Sequence, residues 1–153
     1  VDVENVTYRQ DLLKNALIVI GRNPFFGSFD YMQTPEMLTM LAGPNGGIID
    51  IVNSYLALAL SGGLVTLSLF VGFFVLVTYG TARTIWKHTA KDSPERLLGR
   101  ALLATQVGIL ITIYTVSSIS FISIVYWLVA GFEIAYIRTF SNARTLSAQP
   151  TYS

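Results

Sequence analysis

The sequence predicts an all-α integral membrane protein: about three transmembrane helices, preceded by an outer loop region that carries an amphipathic helix. Three observations lead there. Hydrophobic residues make up 52% of the 153 and charged residues only 12%, about half the share usual in soluble domains. The charges are unevenly placed: none falls in the 32 residues between Asp50 and Arg83, nor in the 32 between Arg100 and Glu133. Each gap exceeds the roughly 20 apolar residues that a membrane span needs.

Composition also excludes several functions. With 10 Lys+Arg against 9 Asp+Glu the net charge is +1, so neither a nucleic-acid-binding surface nor an acidic tail is indicated. Cysteine is absent, which removes disulfides, thiolate metal sites and a cysteine nucleophile. His88 is the one histidine, so a multi-histidine metal site is excluded. No phosphate-binding loop, dinucleotide fingerprint or nucleophile elbow is present, and the reading is of a protein without metal or cofactor. The chain opens on Val1 with a polar segment rather than a signal peptide. The expectation is a C-terminal portion of a longer polytopic protein whose N-terminal transmembrane helices lie elsewhere.

Residues 1–50 hold six of the nine acids and three of the five prolines, the mark of a water-facing region. Within it, 7–20 reads as an amphipathic helix. Thr7-x-x-Gln10 has the form of a capping box, and Leu12, Leu13, Ala16, Leu17 and Ile20 repeat on one face. Gly21 and Pro24 stop it. The segment from Gly21 to Gly27 is turn-rich, Met37–Leu41 suggests one more short helix, and Gly43–Gly47 reads as a loop.

The first span is expected at 54–79, with Gly62-Gly63 allowing close helix packing. Residues 80–100 carry Arg83, Lys87, Lys91, Arg96 and Arg100 against Asp92 and Glu95, which marks a cytoplasmic loop. Residues 101–137 would reach about 55 Å as one helix, against a bilayer core of about 30 Å. They are read as a hairpin of two short spans hinged at the serine-rich stretch 116–120. The tail, 138–153, adds Arg138 and Arg144 and is placed in the cytoplasm. Three spans then put residues 1–50 on the outer side.

The polar groups of the outer region are the candidates for chemistry. Arg9 falls in the first turn of the expected helix, where a cation opposes the helix dipole. Its guanidinium suits bidentate phosphate binding, or it faces lipid headgroups. Arg22 stands at the helix end, where a cation suits the dipole. Asp50, at the water edge of the first span, fits a general base towards a hydroxyl or the N-cap of that span. Asn53 shares its helix face. Glu133, the one acid inside a span, is a functional candidate by default, with pairing to Arg138 the simpler account. His88 reads as solvated.

In order and spacing these residues resemble a known family. Tyr8-Arg9, an apolar helix, Asn23-Pro24-Phe25-Phe26-Gly27, a polar stretch, then Asn53-Ser54-Tyr55-Leu56 and a glycine-containing span resemble the C-terminal part of the O-antigen ligase/polymerase superfamily. The resemblance covers roughly residues 6–80. It implies a multi-pass glycosyltransferase of the bacterial inner membrane, with residues 1–50 periplasmic and undecaprenyl-pyrophosphate-linked glycan as substrate. Arg9 matches the family arginine that holds the pyrophosphate, with Arg22 as candidate second donor; Asn53 and Tyr55 would orient sugar. Ligases carry a histidine immediately before the asparagine, where this chain has Val52. A valine cannot accept a proton: either Asp50 is the base or the chain is not a ligase. The form Ile49-Asp50-Ile51-Val52-Asn53-Ser54-Tyr55-Leu56 looks more like the polymerase-type side of the superfamily, which is favoured. The rival readings are an export or flippase-type transporter and a structural membrane subunit.

Overall fold

In the computed structural model the structure describes residues 3–41, 51, 53–115 and 120–147. Among the described residues the secondary structure is entirely helical: α1 (Val3–Arg22), a single 3-10 turn (Tyr31–Gln33), α2 (Pro35–Leu41), α3 (Ser54–His88), α4 (Pro94–Thr115) and α5 (Ser120–Ser147). Three stretches, Ser54–Lys87, Pro94–Tyr114 and Ile122–Ser141, are long and apolar enough to cross a membrane. The chain divides into two compact units: residues 1–71 with 113–119, and residues 72–112 with 120–153.

In the first unit, α1 starts four residues earlier than the capping-box pattern predicts, so Thr7 lies inside the helix and does not open it. Arg9 is correspondingly in the second turn, where the dipole penalty that singled it out has faded. The helix ends where Pro24 cannot continue it. Its buried face is Leu12, Ala16 and Val19, packed with Met37, Ile51 and Leu60. Leu13 and Leu17, predicted on that face, are 49% and 57% exposed. The apolar stripe is wider than the surface it covers, which leaves a second apolar face outward. Helix α2 opens with Pro35 at its first position and Glu36 in its first turn, both suited to a helix N-terminus.

Asn53 caps α3: its Oδ1 accepts from the backbone N–H of Tyr55 (3.0 Å) and Leu56 (3.3 Å). The cap of the first span is therefore Asn53. Asp50 lies outside the described residues.

In the second unit, α3 stays helical to His88, past the expected end at Tyr79, and α4 begins at Pro94. The expected loop 80–100 thus shrinks to a short link, 89–93. Lys and Arg are good helix formers, and a basic run marks the flanks of spans rather than a break in the helix. Ser93 caps α4, its Oγ accepting from Arg96 N–H at 3.3 Å, with Pro94 at the first helical position. Helices α4 and α5 flank the expected hinge, whose residues 116–119 lie outside the described residues. Helix α5 runs to Ser147, so the tail predicted from 138 begins as helix.

The outward surface is apolar. Leu69, Leu76, Trp86 and Leu97 are each at least 70% exposed, while Thr81, Gln106 and Glu133 are fully buried. That inversion of the soluble pattern is what a multi-pass membrane protein requires.

Candidate functional site

The segment Asn23–Gly27 and the glycine pair of α3 form one structure. At Gly63 the backbone leaves the helix, with φ 69° and ψ −171°, a conformation essentially reserved for glycine. The broken ladder is completed from outside. Pro24 C=O accepts from Leu64 N–H (2.8 Å), Phe25 C=O from Val65 N–H (3.2 Å), and Leu60 C=O accepts from Ser28 N–H (2.9 Å). The turn itself closes through Gly27 N–H to Asn23 C=O at 2.9 Å. Polar backbone freed within an apolar helix must be repaired by protein, and this turn repairs it.

Both glycines are required sterically. Gly27 has φ 65°, and a Cβ there would strike the backbone of Leu60, Gly62 and Gly63. A Cβ on Gly63 would strike the backbone of Phe25 and Gly27. Sequence reasoning assigned Gly62-Gly63 to helix packing; the structure makes it a break.

The break is sharp. The rings of Tyr55 and Phe70 meet edge-on with centroids 6.0 Å apart. A straight helix would separate these residues by about 22 Å along its axis, so the short first arm of α3 folds back towards the second. Tyr114 joins them, its ring centroid 6.5 Å from that of Tyr55. From Leu64 to His88 the second arm rises about 37 Å by its length, enough for the hydrocarbon core without the first arm.

The predicted site residues fall as follows. Arg22, in the last turn of α1, is ion-paired with Glu36 Oε1 in the first turn of α2. Glu36 is the residue that sequence reasoning missed. Its signal was an acid directly after Pro35, at a helix start. Its other oxygen, Oε2, is buried without a hydrogen-bond partner. Its backbone carbonyl accepts from Asn15 Nδ2 (3.3 Å) and Thr39 Oγ1 (2.7 Å). Tyr31 is half-buried beside this core, and burial pushes its phenol above the usual value. The hydroxyl stays neutral at neutral pH.

Asn53 Oδ1 is committed to capping, and the Tyr55 ring to its aromatic neighbours. Arg9 sits on α1 about 20 Å along the axis from Arg22, so the two do not close on one pyrophosphate. What the unit brings together is the Pro24–Gly27 turn and the break at Gly63; the Tyr55 ring packs on Phe70 and Tyr114, and the Arg22–Glu36 pair stands at the α1–α2 junction. Among the described residues no group of three metal-ligating side chains occurs.

No family model, characterised protein or solved structure matches this chain.

Proposed function

We propose that this chain belongs to a membrane glycosyltransferase of bacterial surface polysaccharide assembly, polymerising undecaprenyl-pyrophosphate-linked glycan at the periplasmic face of the inner membrane. The observation that supports it most is the union of the two segments on which the resemblance rests. The Pro-Phe-Phe-Gly turn is hydrogen-bonded into the span that Asn53-Ser54-Tyr55-Leu56 opens. Order in the sequence thereby becomes one local structure. The length of the second arm supports a position for it at the membrane face, where a lipid-linked donor presents its pyrophosphate.

In this reading Arg9 stabilises the charge that develops on the leaving undecaprenyl pyrophosphate. Asp50 removes the proton from an acceptor hydroxyl. The hydroxyl oxygen attacks the anomeric carbon, the bond from that carbon to the pyrophosphate oxygen breaks, and configuration inverts. Arg22, held by Glu36, presents its remaining donors to sugar, and Asn53, through its amide N–H, and Tyr55 orient sugar. Membrane lipid surrounds the spans, and further transmembrane helices complete the site.

The test is in vivo. Arg9→Ala and Asp50→Asn are introduced into the protein in its own host, and surface polysaccharide is resolved on a gel. A ladder collapsed to single repeat units, at unchanged protein level, is the expected result. Free lipid-linked long chains would move the reading to ligase. An unchanged profile for both variants would overturn the site.

A second reading, an export or flippase-type transporter, is favoured by one observation: the helix broken at Gly63, since broken helices recur at transporter substrate sites. It is told apart by lipid-linked repeat units trapped on the cytoplasmic face.

A further inference from the structure

The second unit contains polar groups that the proposed glycan site does not use. Glu133 on α5, Gln106 on α4 and Thr81 on α3 are each fully buried; Gln106 Oε1 and Nε2 have no hydrogen-bond partner, and the Glu133 carboxyl and Thr81 Oγ1 have none beyond each other. Thr78 Oγ1, one turn from Thr81, is buried and unpartnered as well. Native proteins leave few such atoms, and a cluster of them calls for an explanation.

The three helices that carry these groups pack closely beside them. Ile85 of α3, Gly99 of α4 and Tyr136 of α5 meet at one point, where a Cβ on Gly99 would strike both neighbours. Along the chain Thr81 is one helical turn from Ile85 and next to Gly80, Glu133 is one turn from Tyr136, and Thr78 and Gln106 are two turns from Ile85 and Gly99. Gly80 of α3 admits the Ile137 side chain of α5, and Thr81 is the polar neighbour of the Glu133 carboxyl. Phe73, Phe74, Tyr126 and Trp127 pack together with ring centroids 5.1–5.6 Å apart. Along the helices the polar groups thus fall between these rings and the Ile85–Tyr136 contact.

Two ordinary accounts fail. Hydroxyls in apolar helices usually bond the carbonyl one turn back. Thr84, Thr89, Thr112 and Thr139 do so here, at 2.7–2.9 Å, whereas Thr81 and Thr78 do not. A buried carboxylate is usually paired with a cation. The basic groups on the turns around it are Arg83 and Lys87 on α3, Arg96 and Arg100 on α4, and Arg138 on α5. Tyr136 and Glu95 are the other titratable neighbours. None is ion-paired or hydrogen-bonded to Glu133. The pairing with Arg138 that sequence spacing suggested is absent.

We propose that Glu133, with Thr81, Gln106 and Thr78, forms an intramembrane site for one monovalent cation, either Na+ stripped of its water and coordinated by these oxygens or a proton bound to the carboxylate itself. The donor set is oxygen throughout: two carboxylate oxygens, an amide oxygen and two hydroxyls, drawn from three helices. It supplies one negative charge, which a single positive charge neutralises. This site is independent of the glycan reading and stands or falls without it.

The test is carbodiimide modification of the protein in membrane vesicles. Dicyclohexylcarbodiimide enters apolar regions, where a protonated carboxyl adds across its C=N bond and the O-acylisourea rearranges to a stable N-acylurea, and peptide mass mapping locates the adduct. The expected result is an adduct on Glu133 that is lost in Glu133→Gln. If the site takes Na+, labelling at fixed pH falls about tenfold when Na+ is ten times its dissociation constant, with choline as the control salt. Thr81→Val and Gln106→Leu then raise the Na+ concentration needed for half protection. If the site takes a proton, Na+ does not protect, labelling falls as pH rises, and Thr81→Val shifts that midpoint. No adduct on Glu133 overturns the proposal. So does labelling indifferent to Na+, to pH and to both neighbouring substitutions.

Discussion

At Gly63 a helix in an apolar segment gives up its hydrogen-bond ladder, and a turn from elsewhere in the chain takes up the freed groups within 2.8–3.2 Å. Around Glu133 three helices keep their ladders whole, yet carboxyl, amide and hydroxyl atoms are enclosed with nothing to bond beyond one another. The first region has irregular backbone and satisfied polar groups. The second has regular backbone and unsatisfied ones. Backbone groups cannot be exchanged for others by evolution, so a break has to be repaired at once by protein. Side-chain polar groups are optional, so several of them buried together on three apolar helices are what the proposed cation site would explain.

That contrast sets the expected effects of substitution. The largest belongs to Gly63→Ala: a left-handed φ, an added Cβ against the Phe25 backbone and a lost repair together cost more than about 3 kcal/mol. Protease resistance of the first unit should disappear, while Gly72→Ala, with open space at its Cβ, changes stability by less than about 1 kcal/mol. Equal behaviour of the two variants would remove the distinction between break and regular helix.

Gln106→Leu should act in the opposite direction. Replacing an unsatisfied buried amide by an apolar side chain of similar size stabilises by about 1–2 kcal/mol, read as a raised unfolding temperature in cation-free detergent. A fall would mean that the amide is already satisfied.

Asn53→Ala removes two capping bonds, at about 1 kcal/mol, and Asn53→Asp should retain most of the stability. The comparison tests whether the start of α3 depends on its cap or only on the turn at the break. The smallest effect is expected for Arg22 and Glu36. Arg22 is about half exposed, so a double-mutant cycle should give a coupling below about 1 kcal/mol that weakens as salt is added.

Much of the fold was legible in the sequence because apolar length is a direct physical requirement. Two uncharged runs of 32 residues and the excess length of 101–137 led to three spans, matching the three helices long and apolar enough to cross a membrane. Helix ends were less legible. Basic residues flanking a span read as loop although they propagate helix, and the Thr7 capping pattern lost to a helix that starts at Val3. In the candidate site the Pro-Phe-Phe-Gly turn and Asn53 stood out by residue type. Glu36 did not, because its partner Arg22 is 14 residues away and the pair exists only when α1 meets α2.

The sequence by itself determined the number of helices long and apolar enough to cross a membrane and the presence of a conformationally special turn before the first of them. Each follows from local properties: transfer of side chains from water to hydrocarbon, and the restricted torsions of proline with the free ones of glycine. Only the tertiary structure decided that Gly62-Gly63 is a break rather than a packing groove, that the turn repairs it, and that Glu133 stands with Thr81 and Gln106 instead of Arg138. Those outcomes depend on which distant groups arrive within about 3 Å of one another, and no local pattern encodes that.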